Sequence, residues 1–126
     1  MTGNLDNEYS RGVIGYAIEV HRHLGPGLLE NAYQECLCFE LRNAGIPHTP
    51  QRKLPIRYKG MELDCHYQMD IVVGDCLVVE IKAVERILPI HEAQLMTYLK
   101  LSQISLGLLL NFNSPMLKNG IVRRRI

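Results

Sequence analysis

A chain of 126 residues, 47% hydrophobic and 21% charged, is long enough for one core and too short for two, so a single domain over 1–126 is expected. A formal net charge of +1 excludes a protein that holds nucleic acid by overall charge; such a ligand needs a local basic patch. The four cysteines form no C-x-x-C pair, no apolar signal core opens the chain, and no segment reaches the ~18 apolar residues of a membrane span, which predicts a cytoplasmic protein with reduced, packed thiols and no membrane partner.

Residues 10–24, SRGVIGYAIEVHRHL, bring Val13, Ile14, Ala17, Ile18, His21 and Leu24 to one helical stripe, and Gly25-Pro26-Gly27 ends that helix with Gly25 as its cap. A second helix is expected at 28–44, LLENAYQECLCFELRNA, closed by Gly45. Pro47, Pro50 and Pro55 keep the next stretch extended at a sheet edge, and KLPIRYKG reads as a strand turning at Lys59-Gly60. From Met61 to Val73 the pattern alternates. Leu63, Cys65, Tyr67, Met69 and Ile71 take one face, and Glu62, Asp64, His66, Gln68 and Asp70 the other. Gly74-Asp75 is a turn signal leading into the strand DCLVVEIKAV, 75–84. Pro89 precedes a helix over 90–101, ISLGLLLNF is a further buried strand, and GIVRRRI adds a short last one. The order helix, helix, three-strand antiparallel meander, helix, two strands predicts an α/β sandwich around a central mixed sheet.

The strand at 75–84 carries an anomaly. Glu80 and Lys82 sit on the same face of an apolar strand, roughly 7 Å apart along the chain. Charge on a covered sheet face is costly unless compensated, so the two either neutralise each other or serve a site. Asp70, on the preceding strand, joins them only in one register. A two-residue turn pairs Val73 with Cys76 and leaves Asp70 on the wrong face. A three-residue turn, 74–76, or a bulge, pairs Val73 with Leu77 and sets Asp70 opposite Glu80, with Cβ atoms about 5 Å apart. Two carboxylates at that spacing call for a cation between them, and a hard divalent ion is the natural one.

Asp70 with Glu80-Ile81-Lys82 resembles the PD-(D/E)XK nuclease superfamily. Gln94 and Tyr98, four apart on one helix face, resemble its Q-x-x-x-Y element. Gly27-Leu-Leu-Glu30-Asn-Ala-Tyr33 is similar to the signature of the GxxExxY protein family, a group placed within that superfamily. The likeness runs from about Val13 to Arg123 and takes in HRHLGPGLLENAY, PIHEAQLMTYL and NFN. One departure is that Met69, not Pro, precedes Asp70. The resemblance implies a restriction-endonuclease-like α/β/α sandwich and a metal-dependent nuclease acting on nucleic acid, DNA ahead of RNA. It implies that Asp70, Glu80, the Ile81 carbonyl and Glu30 hold Mg²⁺ or Mn²⁺, and that Lys82 assists the attacking water. Gln94, Tyr98 and Tyr33 are the expected supporting or substrate-contacting residues. Phosphodiester hydrolysis needs these groups: a polarised phosphate, an acidified water and a cation for developing charge.

Two other classes stay open. One is a non-catalytic binding module that retains the nuclease fold, and the other is a structural protein whose ion pairs hold a core. Asp64 lies about 20 Å along the strand from Asp70, too far to share a metal. His66 and Gln68 are candidate substrate contacts, though a plain polar face explains them as well. His21, His23 and His91 read as packing or surface residues. Arg52, Lys53, Arg57, Lys59, Arg123, Arg124 and Arg125 are candidate phosphate contacts. So small a chain covers little duplex, and a symmetric homodimer would give reach to both strands.

Overall fold

Two central strands buried on both faces dictate a sheet that is covered on both sides. In the computed structural model, which describes residues 5–126 apart from the side chains of Cys65 and His66, these are β3 (Leu77–Lys82) and β4 (Leu106–Asn111). They run parallel and are joined by helix α3 (Pro89–Ser102). β1 (His48–Tyr58) and β2 (Met61–Val73) extend the sheet antiparallel on one side, and β5 (Ile121–Arg125) closes the other, in the order β1-β2-β3-β4-β5. Helices α1 (Leu5–Leu24) and α2 (Glu30–Asn43) precede the sheet. The expectations for Cys65 as a packed thiol and for the His66 side chain, and the chain start at 1–4, lie outside the described residues.

The strands divide their apolar residues between two cores. Ile71, Val73, Leu77, Val79, Ile81, Leu106, Leu108 and Leu110 face α1 and α2. Met69, Val72, Val78 and Leu109 face Leu95, Tyr98 and Leu99 of α3. The result is the expected α/β/α sandwich. The proline-bearing strand β1 lies at the edge, where a missing N–H breaks no ladder bond. Among the described residues no helix is long and apolar enough to cross a membrane.

Three departures from the sequence pattern have physical causes. Helix α1 runs from Leu5, five residues before the expected start at Ser10. Its polar first turns are held by the last strand: Arg125 Nη1 donates to Asp6 Oδ2 at 2.9 Å, and Arg123 Nη1 to Ser10 Oγ at 3.3 Å. The Arg125 guanidinium holds the Asp6 carboxyl below the usual range. Leu24, placed on the buried stripe by periodicity, is 39% exposed, and Val20 is buried instead. The alternation expected from Leu63 through Ile71 breaks at Asp70: Met69 packs toward α3, whereas Ile71 packs toward α1 and α2. Opposite the break, Gln51 in β1 takes φ 50°, and its Nε2 donates to Gln34 Oε1 of α2 at 2.8 Å.

The hairpin between β2 and β3 settles the register. Val73 pairs with Leu77, Val72 with Val78 and Ile71 with Val79, so the turn spans Gly74 to Cys76. Gly74 (φ 57°) and Asp75 (φ 55°) are both left-handed, and the Cys76 N–H donates to Val73 O at 3.1 Å. A side chain at Gly74 would also strike the ring of Tyr9, 2.2 Å from the nearest atom. The odd-length turn required to bring Asp70 beside Glu80 is the one present.

Candidate active site

The β2–β3 ladder stops at Ile71 and Val79, and the two carboxylates take its place. The Asp70 N–H donates to Glu80 Oε2 at 2.8 Å, and the Ile81 N–H donates to Asp70 Oδ2 at 2.8 Å. Each carboxylate thus bonds the opposite backbone and holds the strands apart at this level. Asp70 Oδ1 and Glu80 Oε1 have no hydrogen-bond partner among the described residues, yet neither is sealed from solvent. The one sealed, unpartnered side-chain oxygen among them is Asp6 Oδ1.

Two carboxylates in this position resist ionisation. Glu80 is 4% exposed, and burial, with the charge of Asp70 second, pushes its carboxyl up to about 8. Burial also raises Asp70, against the opposing effect of the Ile81 N–H and of Lys82. The Glu30 charge adds to both. The pair is short of positive charge, which a cation at Asp70 Oδ1 and Glu80 Oε1 would supply.

Lys82 supplies it only in part. No ion pair among the described residues joins Lys82 to Glu80. Its Nζ lies 3.5 Å from Gln94 Oε1 on α3, at the long limit of a hydrogen bond. The mutual neutralisation left open by the sequence is therefore not the arrangement present. Glu30, exposed at the first residue of α2, reaches across to the end of β3, where Oε2 accepts the Ala83 N–H at 3.3 Å. Tyr98 is 6% exposed, and burial followed by the charges of Glu80 and Asp70 raises its hydroxyl pKa.

Tyr33 sits apart from these groups. Its ring is fully buried and stacks on Phe112 at 4.5 Å. Its hydroxyl donates to Gly25 O at 2.6 Å and accepts the Leu28 N–H at 3.0 Å. It therefore ties down the turn that leads into Glu30. Ile81 is fully buried, its N–H held by Asp70.

Asn111 was given no role by sequence alone. It is 2% exposed, ends β4 and pairs in register with Lys82. Its Oδ1 accepts the Val84 N–H at 3.0 Å and the Asn113 N–H at 3.2 Å, while Nδ2 donates to Val84 O at 2.9 Å. The Phe112 N–H donates to Lys82 O at 2.9 Å beside it. This clamp fixes the chain leaving Lys82, including the Ala83 amide that Glu30 binds. The sequence signals were its place in the NFN stretch and a polar residue closing an apolar strand. Asn111→Ala strands three backbone groups, and we expect a loss of about 2–3 kcal/mol of stability in urea unfolding, with a parallel fall in any activity that depends on Lys82.

Most of the candidate phosphate contacts are otherwise engaged. Arg52 pairs with Asp75, Arg57 with Glu62, Arg124 with Glu92 and Arg125 with Asp6, while Arg123 binds Ser10 and Asn7. Lys59 lies over the Tyr58 ring at 5.4 Å. His21 is a packing residue, its Nε2 2.8 Å from Ser114 O.

The donor set fits a hard divalent ion: carboxylate oxygens with free lone pairs, short of charge, beside a strand end. Among the described residues no three acidic, histidine or cysteine side chains converge into a closed metal cage, so the fit is to a pair with Glu30 standing off at the Ala83 amide. Searches of curated proteins and of solved structures return no significant match. A family model described as PD-(D/E)XK nuclease superfamily matches residues 7–124. That match runs through all the helices and strands that carry the pair and its neighbours, and the chain belongs to the PD-(D/E)XK nuclease superfamily.

Proposed function

We propose that this chain is a Mg²⁺- or Mn²⁺-dependent nuclease of the GxxExxY group, cleaving phosphodiester bonds in DNA ahead of RNA. The observation that carries this is the Asp70–Glu80 exchange across the end of the β2–β3 ladder, with Lys82 on the same strand beside Gln94. A bound divalent ion would supply neutralisation of the phosphate and a water of lowered pKa. Asp70 Oδ1, Glu80 Oε1 and the Ile81 carbonyl are the oxygen donors offered to it, with Glu30 reaching the same end of β3. Lys82 orients the attacking water and stabilises charge developing on the phosphate. Gln94 holds the Lys82 ammonium, and Tyr98, its hydroxyl kept protonated, donates a hydrogen bond to a phosphate oxygen. Tyr33 and Asn111 act through backbone, by fixing the approaches to Glu30 and Lys82. The protein acts in the cytoplasm, where Cys36, Cys38 and Cys76 remain free thiols.

A non-catalytic nucleic-acid or protein binding module is the second reading, favoured by the lack of a closed three-ligand cage among the described residues. Labelled single-stranded and duplex DNA and RNA, incubated with Mg²⁺, Mn²⁺ or EDTA, distinguish the two. The nuclease produces fragments with either metal, none in EDTA and none with Asp70→Asn. Binding without fragments on every substrate overturns catalysis and leaves the binding module.

A further inference from the structure

A groove of about 460 Å³ opens between the sheet and α3, walled by Ile56 and Tyr67 from the sheet and by Ile90, Gln94, Tyr98 and Leu101 from α3. Its size falls within the roughly 300–1,000 Å³ of small-ligand sites. Two of its walls belong to the candidate active site: Gln94 lies 3.5 Å from the Lys82 ammonium, and Tyr98 is buried close enough to Glu80 and Asp70 to be influenced by their charge. The groove therefore adjoins the candidate site through Gln94 and Tyr98.

Its described walls are mainly aromatic and aliphatic, with the imidazole of His91 beside them. Tyr67 is 53% exposed, an unusual position for a ring on a sheet face covered by a helix. It meets Tyr98 at 6.2 Å and 46°, a tilted contact that leaves ring surface uncovered. The arginines that would grip a duplex backbone are meanwhile paired to carboxylates: Arg52, Arg57, Arg124 and Arg125. A duplex presents phosphates and keeps its bases stacked inside. A single strand offers unstacked bases, whose faces bind aromatic side chains without regard to sequence.

We propose that the substrate is single-stranded nucleic acid, or a single-stranded flap, with one unpaired base seated in this groove against Tyr67 and the adjoining phosphate at Asp70 and Glu80. This rests on the nuclease assignment for the position of the phosphate. The seating of the base can be measured without cleavage.

Fluorescence anisotropy with labelled oligothymidylate, and with a duplex of equal length, measures affinity in Ca²⁺, a cation for hard oxygen sites. The single strand should bind more tightly than the duplex. Tyr67→Ala should weaken it roughly 5- to 150-fold, and Tyr67→Phe should restore it. An abasic position moved along the oligonucleotide should cost the wild type a similar factor at one place and cost Tyr67→Ala nothing further. Preference for the duplex, no measurable binding of the single strand, or single-strand binding unchanged in Tyr67→Ala overturns the proposal. Tyr67-dependent single-strand binding without cleavage on any substrate supports the groove and removes the nuclease assignment instead.

Discussion

Replacing Glu80 with Gln is expected to reduce metal-dependent cleavage by about a thousandfold or more, and at the same time to stabilise the metal-free fold at alkaline pH. The two effects have one origin. Glu80 is 4% exposed, and its carboxyl is raised from 4.5 to about 8 by burial and by the neighbouring Asp70 charge. The folded chain thus binds this proton more tightly than the unfolded chain does. The stability this contributes is whole below about pH 4.5 and is lost as pH rises through about 8, on the order of 5 kcal/mol in all. Gln has no proton to lose, and its amide oxygen can still accept the Asp70 N–H that Glu80 Oε2 holds at 2.8 Å. Urea unfolding without metal, followed from about pH 5 to 8.5, should show the wild type weakening while Glu80→Gln stays level. Equal decline in both proteins would mean that Glu80 does not carry the buried proton. Asp6 has the opposite sense: its carboxyl is lowered from 3.8 by Arg125, so its contribution is present above that value and is lost as pH falls further.

Lys82→Met is expected to lower cleavage by about 10²- to 10⁴-fold, the range for a positioned proton-transfer or charge-stabilising group, and to leave the fold unchanged. Its ammonium has no carboxylate partner among the described ion pairs, and its contact is the 3.5 Å approach to Gln94. Little stability should go with it, because no direct ion pair is broken and its charge only moderates the raised Asp70 and Glu80 carboxyls. Single-turnover cleavage, read beside the unfolding midpoint, separates the two roles. A variant that keeps its cleavage rate but unfolds more easily would make Lys82 structural.

The order of elements was legible because each announces itself locally. β2 runs from Met61 to Val73 as its alternation and flanking glycines indicate, and β1 lies at the edge, as Pro50 and Pro55 require. The register of the hairpin was legible only as a choice between two turn lengths. What decides it is the left-handed pair Gly74 and Asp75, with the Tyr9 ring against Gly74, a contact from another element that no local pattern reports. The face switch at Asp70 was hidden for a similar reason. It is matched by the left-handed Gln51 on the neighbouring strand and by a bond to Gln34 of α2. The first turns of α1 and the C-terminal arginines looked unrelated, one a polar start and the other a basic patch, until folding brought Asp6 to Arg125 across most of the chain. The roles of Asn111 and Tyr33 are bonds to backbone, which residue type alone does not announce.

Titration of Mn²⁺ by calorimetry into wild type and Glu80→Gln, at about pH 6 and pH 8, tests most directly whether Asp70 and Glu80 form a metal site. A cation must displace the proton held by a carboxyl of pKa about 8, so wild-type affinity should rise roughly 50-fold between the two conditions, with proton release at the lower pH. Glu80→Gln should bind weakly or not at all at either. Affinity independent of pH, or binding that survives in the variant, would contradict the assignment of this pair as the metal-holding centre.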